Sequence, residues 1–169
     1  MDEFLQELTG DLPTTAGFLK VLFRLSLAAA AGALPGLQRE RVHVAAGLRT
    51  HMLVSLGAAI FVLAALDSGA TMDATTRVIQ GLATGIGFVG AGAILKSGEN
   101  QQVHGLTTAS SIWLTAGLGT AAGIGRIWLT IFGSVLALII LSTLRQFERH
   151  GETLGAPPKV PIDVDPDRS

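Results

Sequence analysis

The sequence predicts an all-α protein, a polytopic transmembrane bundle of about five spans with a glycine-rich third helix at its centre. Three observations predict it. About half of the 169 residues are hydrophobic and only 15% are charged, too apolar a balance for an ordinary soluble domain of this length. The apolar residues gather into about five blocks, each near the roughly 20 residues that cross a hydrocarbon core. The third block contains "GLATGIGFVGAG", residues 81–92, crowded with glycine.

Residues 1–17 form an external N-terminal segment in this reading. "MDEFLQELTGDLP" is acidic where a cleavable signal has a basic region, so the first span is expected to stay in the mature chain. Residues 1–12 suit a short surface helix with Phe4, Leu5 and Leu8 on one side, stopped by Pro13. The first span is placed at 18–37 and contains Lys20 and Arg24, one turn apart. A start after Arg24 would leave a segment too short to cross, so these cations either snorkel to the nearer interface or pair with acids on a neighbouring helix. The second span is placed at 49–66, the third at 78–95, the fourth at 106–122 and the fifth at 127–145. A five-span domain therefore covers 18–145. Residues 146–169, ending in "GAPPKVPIDVDPDRS", read as a disordered cytoplasmic tail. Arg39, Arg41, Arg49, Lys96, Arg145 and Arg149 flank one side of the spans, against Lys20, Arg24, Arg77 and Arg126 on the other. That excess predicts an external N-terminus and a cytoplasmic C-terminus.

Gly85, Gly87 and Gly90 form G-x-G-x-x-G, the pattern of a dinucleotide loop. Such a loop needs a preceding strand and an acidic residue about 20 positions later, and this block supplies neither. On a membrane helix, Gly81, Gly85 and Gly92 recur at spacings of four and seven, with Gly87 and Gly90 adding small residues on other faces. Two readings stay open: close helix packing, which lipid favours at small residues, or an unwound stretch lining a cavity. A faint echo also runs through the chain. "AGALPG" at 31–36 and "VHVAAGLRT" at 42–50 resemble "AGAILK" at 91–96 and "VHGLTT" at 103–108. It reads either as chance or as parallel repeats pairing spans one and two with spans three and four.

The densest ionisable patch is "LQRERVHVAAGLRTH", with Arg39, Glu40, Arg41, His43, Arg49 and His51. A positive-inside signal accounts for it as a whole. Arg49 and His51 lie at the start of a span, where charge is costly unless it faces protein or water, and are the better functional candidates. Thr50, Thr107 and Thr108 sit where helix caps are expected. Thr108, Ser111 and Thr115 share a face, and either hydrogen-bond across helices or to their own carbonyls, or line a polar path. Asp67, Asp73 and Arg77 read as solvated span ends, with a magnesium site there the weaker alternative. The four histidines are too spread for a zinc motif and no serine sits in a nucleophile elbow, so neither an enzyme nor a cofactor is expected. The absence of cysteine removes thiol chemistry, and the near-zero net charge argues against nucleic acid.

Three blocks, "RERVHVAAGLRTHMLVSLGAAIF" (39–61), "RVIQGLATGIGFVGAGAILK" (77–96) and "VHGLTTASSIWLTAGLGTAAGIG" (103–125), resemble the MgtC/SapB family of bacterial inner-membrane proteins in content, order and spacing. The resemblance implies a five-helix inner-membrane protein with a role in adaptation to low magnesium, and a membrane-protein partner such as the ATP synthase. Its motif positions fall on Arg39, Glu40, Gly47, Arg49, Thr50, His51, Arg77, Gly85, Gly87, Gly90, Gly92, Gly105, Thr107, Thr108 and Trp113. Gln38 departs from a frequent glutamate, and Val42 to Val44 from a basic, proline-containing turn. Longer members carry a soluble C-terminal domain, where this sequence has only a short polar stretch, so functions resting on that domain do not carry over.

The expectation is a small regulatory or accessory protein in membrane lipid, linked to magnesium homeostasis and forming a homodimer. The polar set is Arg39, Glu40, Arg49, Thr50, His51, Arg77, Thr107, Thr108 and Ser111, and Gly81, Gly85, Gly87, Gly90 and Gly92 provide helix packing. The competing expectation is a small cation transporter or channel in which the polar set lines a vestibule. A polar cavity reaching the midplane would favour the second, and a closed, dry bundle the first.

Overall fold

The computed structural model describes residues 14–41, 44–97 and 102–155. The helix expected over 1–12 lies outside them. The described residues form five helices, α1 (Thr15–Glu40), α2 (Leu48–Asp67), α3 (Met72–Gly92), α4 (Leu106–Ile124) and α5 (Ile127–Gly155). Between α3 and α4 lies an antiparallel ribbon, β1 (Leu95–Ser97) and β2 (Gln102–His104), that pairs Leu95 with His104 and Ser97 with Gln102. The all-α bundle is as expected, and the ribbon is an addition. Its three-residue strands are too short for a period-two pattern to register.

Local chemistry sets the helix ends. The Thr14 and Thr71 hydroxyls accept from Gly17 N–H and Ala74 N–H, capping α1 and α3. Gly105 and Gly125 bracket α4 with φ of 93° and 92°, the left-handed region open to glycine at little steric cost. α5 runs to Gly155, past the expected end of the fifth span. Nothing in "RQFERH" breaks a helix, and the first strong stop is the Pro157–Pro158 pair. α1 and α2 are long and apolar enough to cross a membrane, and Ile127–Thr143 of α5 is a shorter apolar stretch.

The central helix is the fourth, not the third. α4 touches each of the other four helices, and its buried residues run from Thr108 to Gly123. Small residues admit the neighbours. A Cβ on Gly119 would collide with the Ser55 carbonyl of α2, and one on Gly123 would lie 2.9 Å from Ala59 O. α3 instead stands at the edge against α4 and, less extensively, α2, with only Thr75 and Gly90 buried. A Cβ at Gly81, Gly85, Gly87 or Gly92 would meet nothing within 4 Å, so of the five expected packing glycines only Gly90 packs within this chain, against Ala109. Nor is the stretch unwound, since all five lie in a continuous helix.

The two halves are arranged alike, but in a register that pairs Gly32 with Gly90, whereas the echo in the sequence pairs it with Gly92. Gly32 of α1 lies over the backbone of His51 in α2, and Gly90 of α3 over that of Ala109 in α4, at the same sequence separation. Gly47 and Gly105, again at one separation from Gly32 and Gly90, are the N-caps of α2 and α4. α2 and α4 run parallel, since His51, Ser55 and Ala59 meet Ser111, Gly119 and Gly123 in order. The first half is α1 with α2, the second α3 with α4, and α5 is added outside against α1 and α4.

A buried polar seam as the candidate functional site

The seam begins where α1 ends. Arg39 lies in the last turn of α1 and its Nη2 donates to Thr108 Oγ1 at 2.6 Å, tying α1 to the first turn of α4. The next residue reaches the other neighbour: Glu40 Oε2 accepts from Leu48 N–H at 2.6 Å. A carboxylate there takes one of the four free N–H groups that open α2 and faces the positive end of its dipole. Gly47 is what admits it, because a Cβ at that position would run into the Glu40 carboxylate.

One turn further along α2, His51 is fully buried. Its Nδ1 lies 2.8 Å from Gly47 O and its Nε2 3.1 Å from Ser111 Oγ. A carbonyl only accepts, so Nδ1 carries a proton. The Ser111 hydroxyl also lies 2.8 Å from Thr108 O. With one proton to give, it donates either to a neutral Nε2 or, when Nε2 is itself protonated, to that carbonyl. Below His51, Ser55 Oγ donates to Ala28 O at 2.7 Å and Thr115 Oγ1 to Ser111 O at 2.7 Å. The seam thus joins α1, α2 and α4 through buried polar groups, and small residues seal it: a Cβ on Gly32 would sit 2.6 Å from His51 O, and one on Gly36 2.9 Å from Leu48 Cα.

The opposite end of α4 is also held by an arginine. Arg24 Nη1 donates to Gly123 O at 3.1 Å, and its guanidinium packs against Gly125. A cation at a helix C-terminus is favourable both to the dipole and to the unpaired carbonyls. Of the two expectations for Arg24, a partner acid is replaced by a backbone carbonyl. The two arginines of α1 grip both ends of the antiparallel α4.

Of the residues expected to carry polar function, the structure brings together Arg39, Glu40, His51, Thr108 and Ser111. Arg49, Thr107 and Arg77 are exposed and Thr50 is half-buried. Arg49, expected to be the better candidate, lies about 200° around the helix from buried His51, while the longer α1 carries Arg39 inward to Thr108. Threonine capping of α2 and α4 is also corrected. Their N-caps are Gly47 and Gly105, and the capping acceptor for α2 is Glu40. Sequence reasoning missed Ser55 and Arg24 as seam and clamp residues, and the cost of a charge or hydroxyl inside an apolar span was the available signal. Among the described residues no three metal-ligating side chains come together. A cavity of about 540 Å³ opens between α2 and α3, lined by apolar residues including Leu53, Phe61, Gly81 and Gly85, away from the seam.

The model of the MgtC family matches residues 25–150. The chain belongs to this family. Together with the two apolar helices, that membership makes it a membrane protein. It is similar to Protein SrpB of Synechococcus elongatus, 41% identical over 143 residues, covering 78% of this chain and 79% of that protein. The putative magnesium transporter YhiD of Escherichia coli is 39% identical over 132 residues, with coverage of 74% and 60%, and Protein MgtC of Salmonella typhimurium 37% over 115 residues, with coverage of 68% and 48%. The chain thus spans about half to three fifths of the length of these last two relatives. No solved structure matches.

Proposed function

We propose that this chain is a small regulatory or accessory protein of the bacterial inner membrane, linked to magnesium homeostasis and low-magnesium stress, that acts through contacts made within the membrane. Family membership and the name of its relative YhiD support the magnesium connection. In this reading five helices span the bilayer with the N-terminus outside, the seam lies toward the cytoplasmic face and catalysis plays no part. Burial of the inner part of the seam supports the regulatory reading over transport. Its inner side chains, His51, Ser55, Thr108, Ser111 and Thr115, are buried and bond to one another and to backbone, and the cavity between α2 and α3 is apolar. Among the described residues no group of three His, Asp or Glu side chains comes together to take a cation out of water. The exposed α3 is the contact surface for a second copy or for a membrane complex such as the ATP synthase.

Magnesium entry into sealed liposomes holding the purified protein tests this reading, with wild type compared with Glu40→Gln and His51→Ala. The expected result is no entry above empty liposomes from folded, inserted protein. Entry that either substitution abolishes would make the chain a transporter.

A further inference from the structure

The two halves of the bundle are built alike but finished differently. α5 lies against α1 of the first half and α4 of the second and covers the crease between them. It does so with a face of small residues, with Thr130, Ser134 and Ala137 buried and Gly133 against Leu118. The repeat exchanges α1 with α3 and α4 with α2, so the counterpart of that crease lies between α3 and α2. There the cavity of about 540 Å³ is open, and no described helix covers it. The register that pairs Gly32 with Gly90 also pairs Ala31 with Val89. Ala31 is 4% exposed and Val89 46%.

We infer that the open crease between α2 and α3 is filled by α3 of a second copy of this chain, in a two-fold dimer, as α5 fills its counterpart within the chain. This rests on the reading that the protein works through membrane-embedded contacts. Three features favour a second copy. The helix that covers the α1–α4 crease presents small residues, and the free helical face that resembles it is that of α3, where Gly81, Gly85 and Gly92 lie outward beside Phe88, itself 85% exposed. α3 both lines the crease and carries that face, so one surface serves as groove and insert, as a two-fold interface requires. In lipid, such contacts depend on close backbone approach, which these glycines allow.

The sequence contains no cysteine, so single cysteines report contacts cleanly. Gly81→Cys and Phe88→Cys should each give an oxidised dimer in native membranes, at twice the 17.5 kDa of one chain, while Leu136→Cys and Ile140→Cys on the exposed face of α5 should give none. Gly85→Leu should abolish the dimer by native mass in mild detergent yet leave the monomer folded, because a Cβ there meets nothing within 4 Å and the position faces the open crease. Equal cross-linking at α3 and α5, a dimer that survives Gly85→Leu, or cross-links from α3 only to a different protein would each overturn the assignment. Magnesium entry through a dimer that passes these tests would remove the regulatory reading and leave the crease assignment intact. A magnesium-tight monomer would do the reverse.

Discussion

Gly119→Ala tests whether α4 is the central helix. A Cβ there would strike the Ser55 carbonyl oxygen, with Ser55 C and Cα each 2.7 Å away. Carbon atoms settle at about 3.5–4.0 Å, so α2 and α4 would have to part by about 1 Å. The obstacle is backbone and cannot swing aside. Ser55 is also bonded to Ala28 O, so the displacement reaches α1. Overpacking of this kind costs about 1–3 kcal/mol, and a rigid obstacle places the substitution near the upper end. Gly117, two residues away in the same helix, is the internal control, since a Cβ there meets nothing within 4 Å. Both substitutions carry the same helix-propensity gain of up to about 1 kcal/mol, so their difference isolates the clash. At about 2–3 kcal/mol, that difference is a change of roughly 30- to 150-fold in the unfolding equilibrium. Reversible unfolding by sodium dodecyl sulfate in mixed micelles, followed by tryptophan fluorescence, measures it. Equal midpoints for Gly119→Ala and Gly117→Ala would refute the central placement of α4.

Two further substitutions probe the ends of the helices. Arg24→Met removes the donor on Gly123 O and should cost about 1.5–3 kcal/mol in the same assay, the range of a hydrogen bond to a charged group. Arg24→Lys should recover only part of this, because an ammonium keeps the charge but not the planar fork. Glu40→Ala should cost about 1 kcal/mol by leaving Leu48 N–H without its capping acceptor, and Glu40→Gln should restore the part of it that does not depend on charge, since an amide oxygen still accepts but lacks the charge–dipole attraction. Amide exchange in the first turn of α2 would locate the effect, and unchanged exchange there in Glu40→Ala would count against the capping role.

The bundle and its helix order were legible because apolar blocks of near-spanning length leave little choice of element. Helix starts at 106 and 127 and the second helix at 48–67 follow the expected positions closely. Half of the site was legible as well. His51, Thr108 and Ser111 stood out as polar groups in apolar surroundings, where they need partners, and burial supplied those partners. The pairing itself was not legible. Arg39 was ranked below Arg49 because the first helix was ended three residues early, and one helical turn decides whether a long side chain reaches inward or outward. Thr50 was read as a cap because a hydroxyl two or three residues from a helix start fits that role locally, whereas the acceptor came from another helix.

Sequence alone establishes that the protein is helical and apolar, where the second, fourth and fifth helices begin, and which polar residues are costly inside it. Those are consequences of local spacing and transfer energy, which each segment expresses whatever surrounds it. Only the tertiary structure decided which helix is central. Glycine has the same meaning for one helix in α3 and in α4, a surface that another backbone can approach. Whether a backbone is there depends on helices far along the chain. At Gly119 α2 occupies that surface, and at Gly85 the surface stays open within the chain.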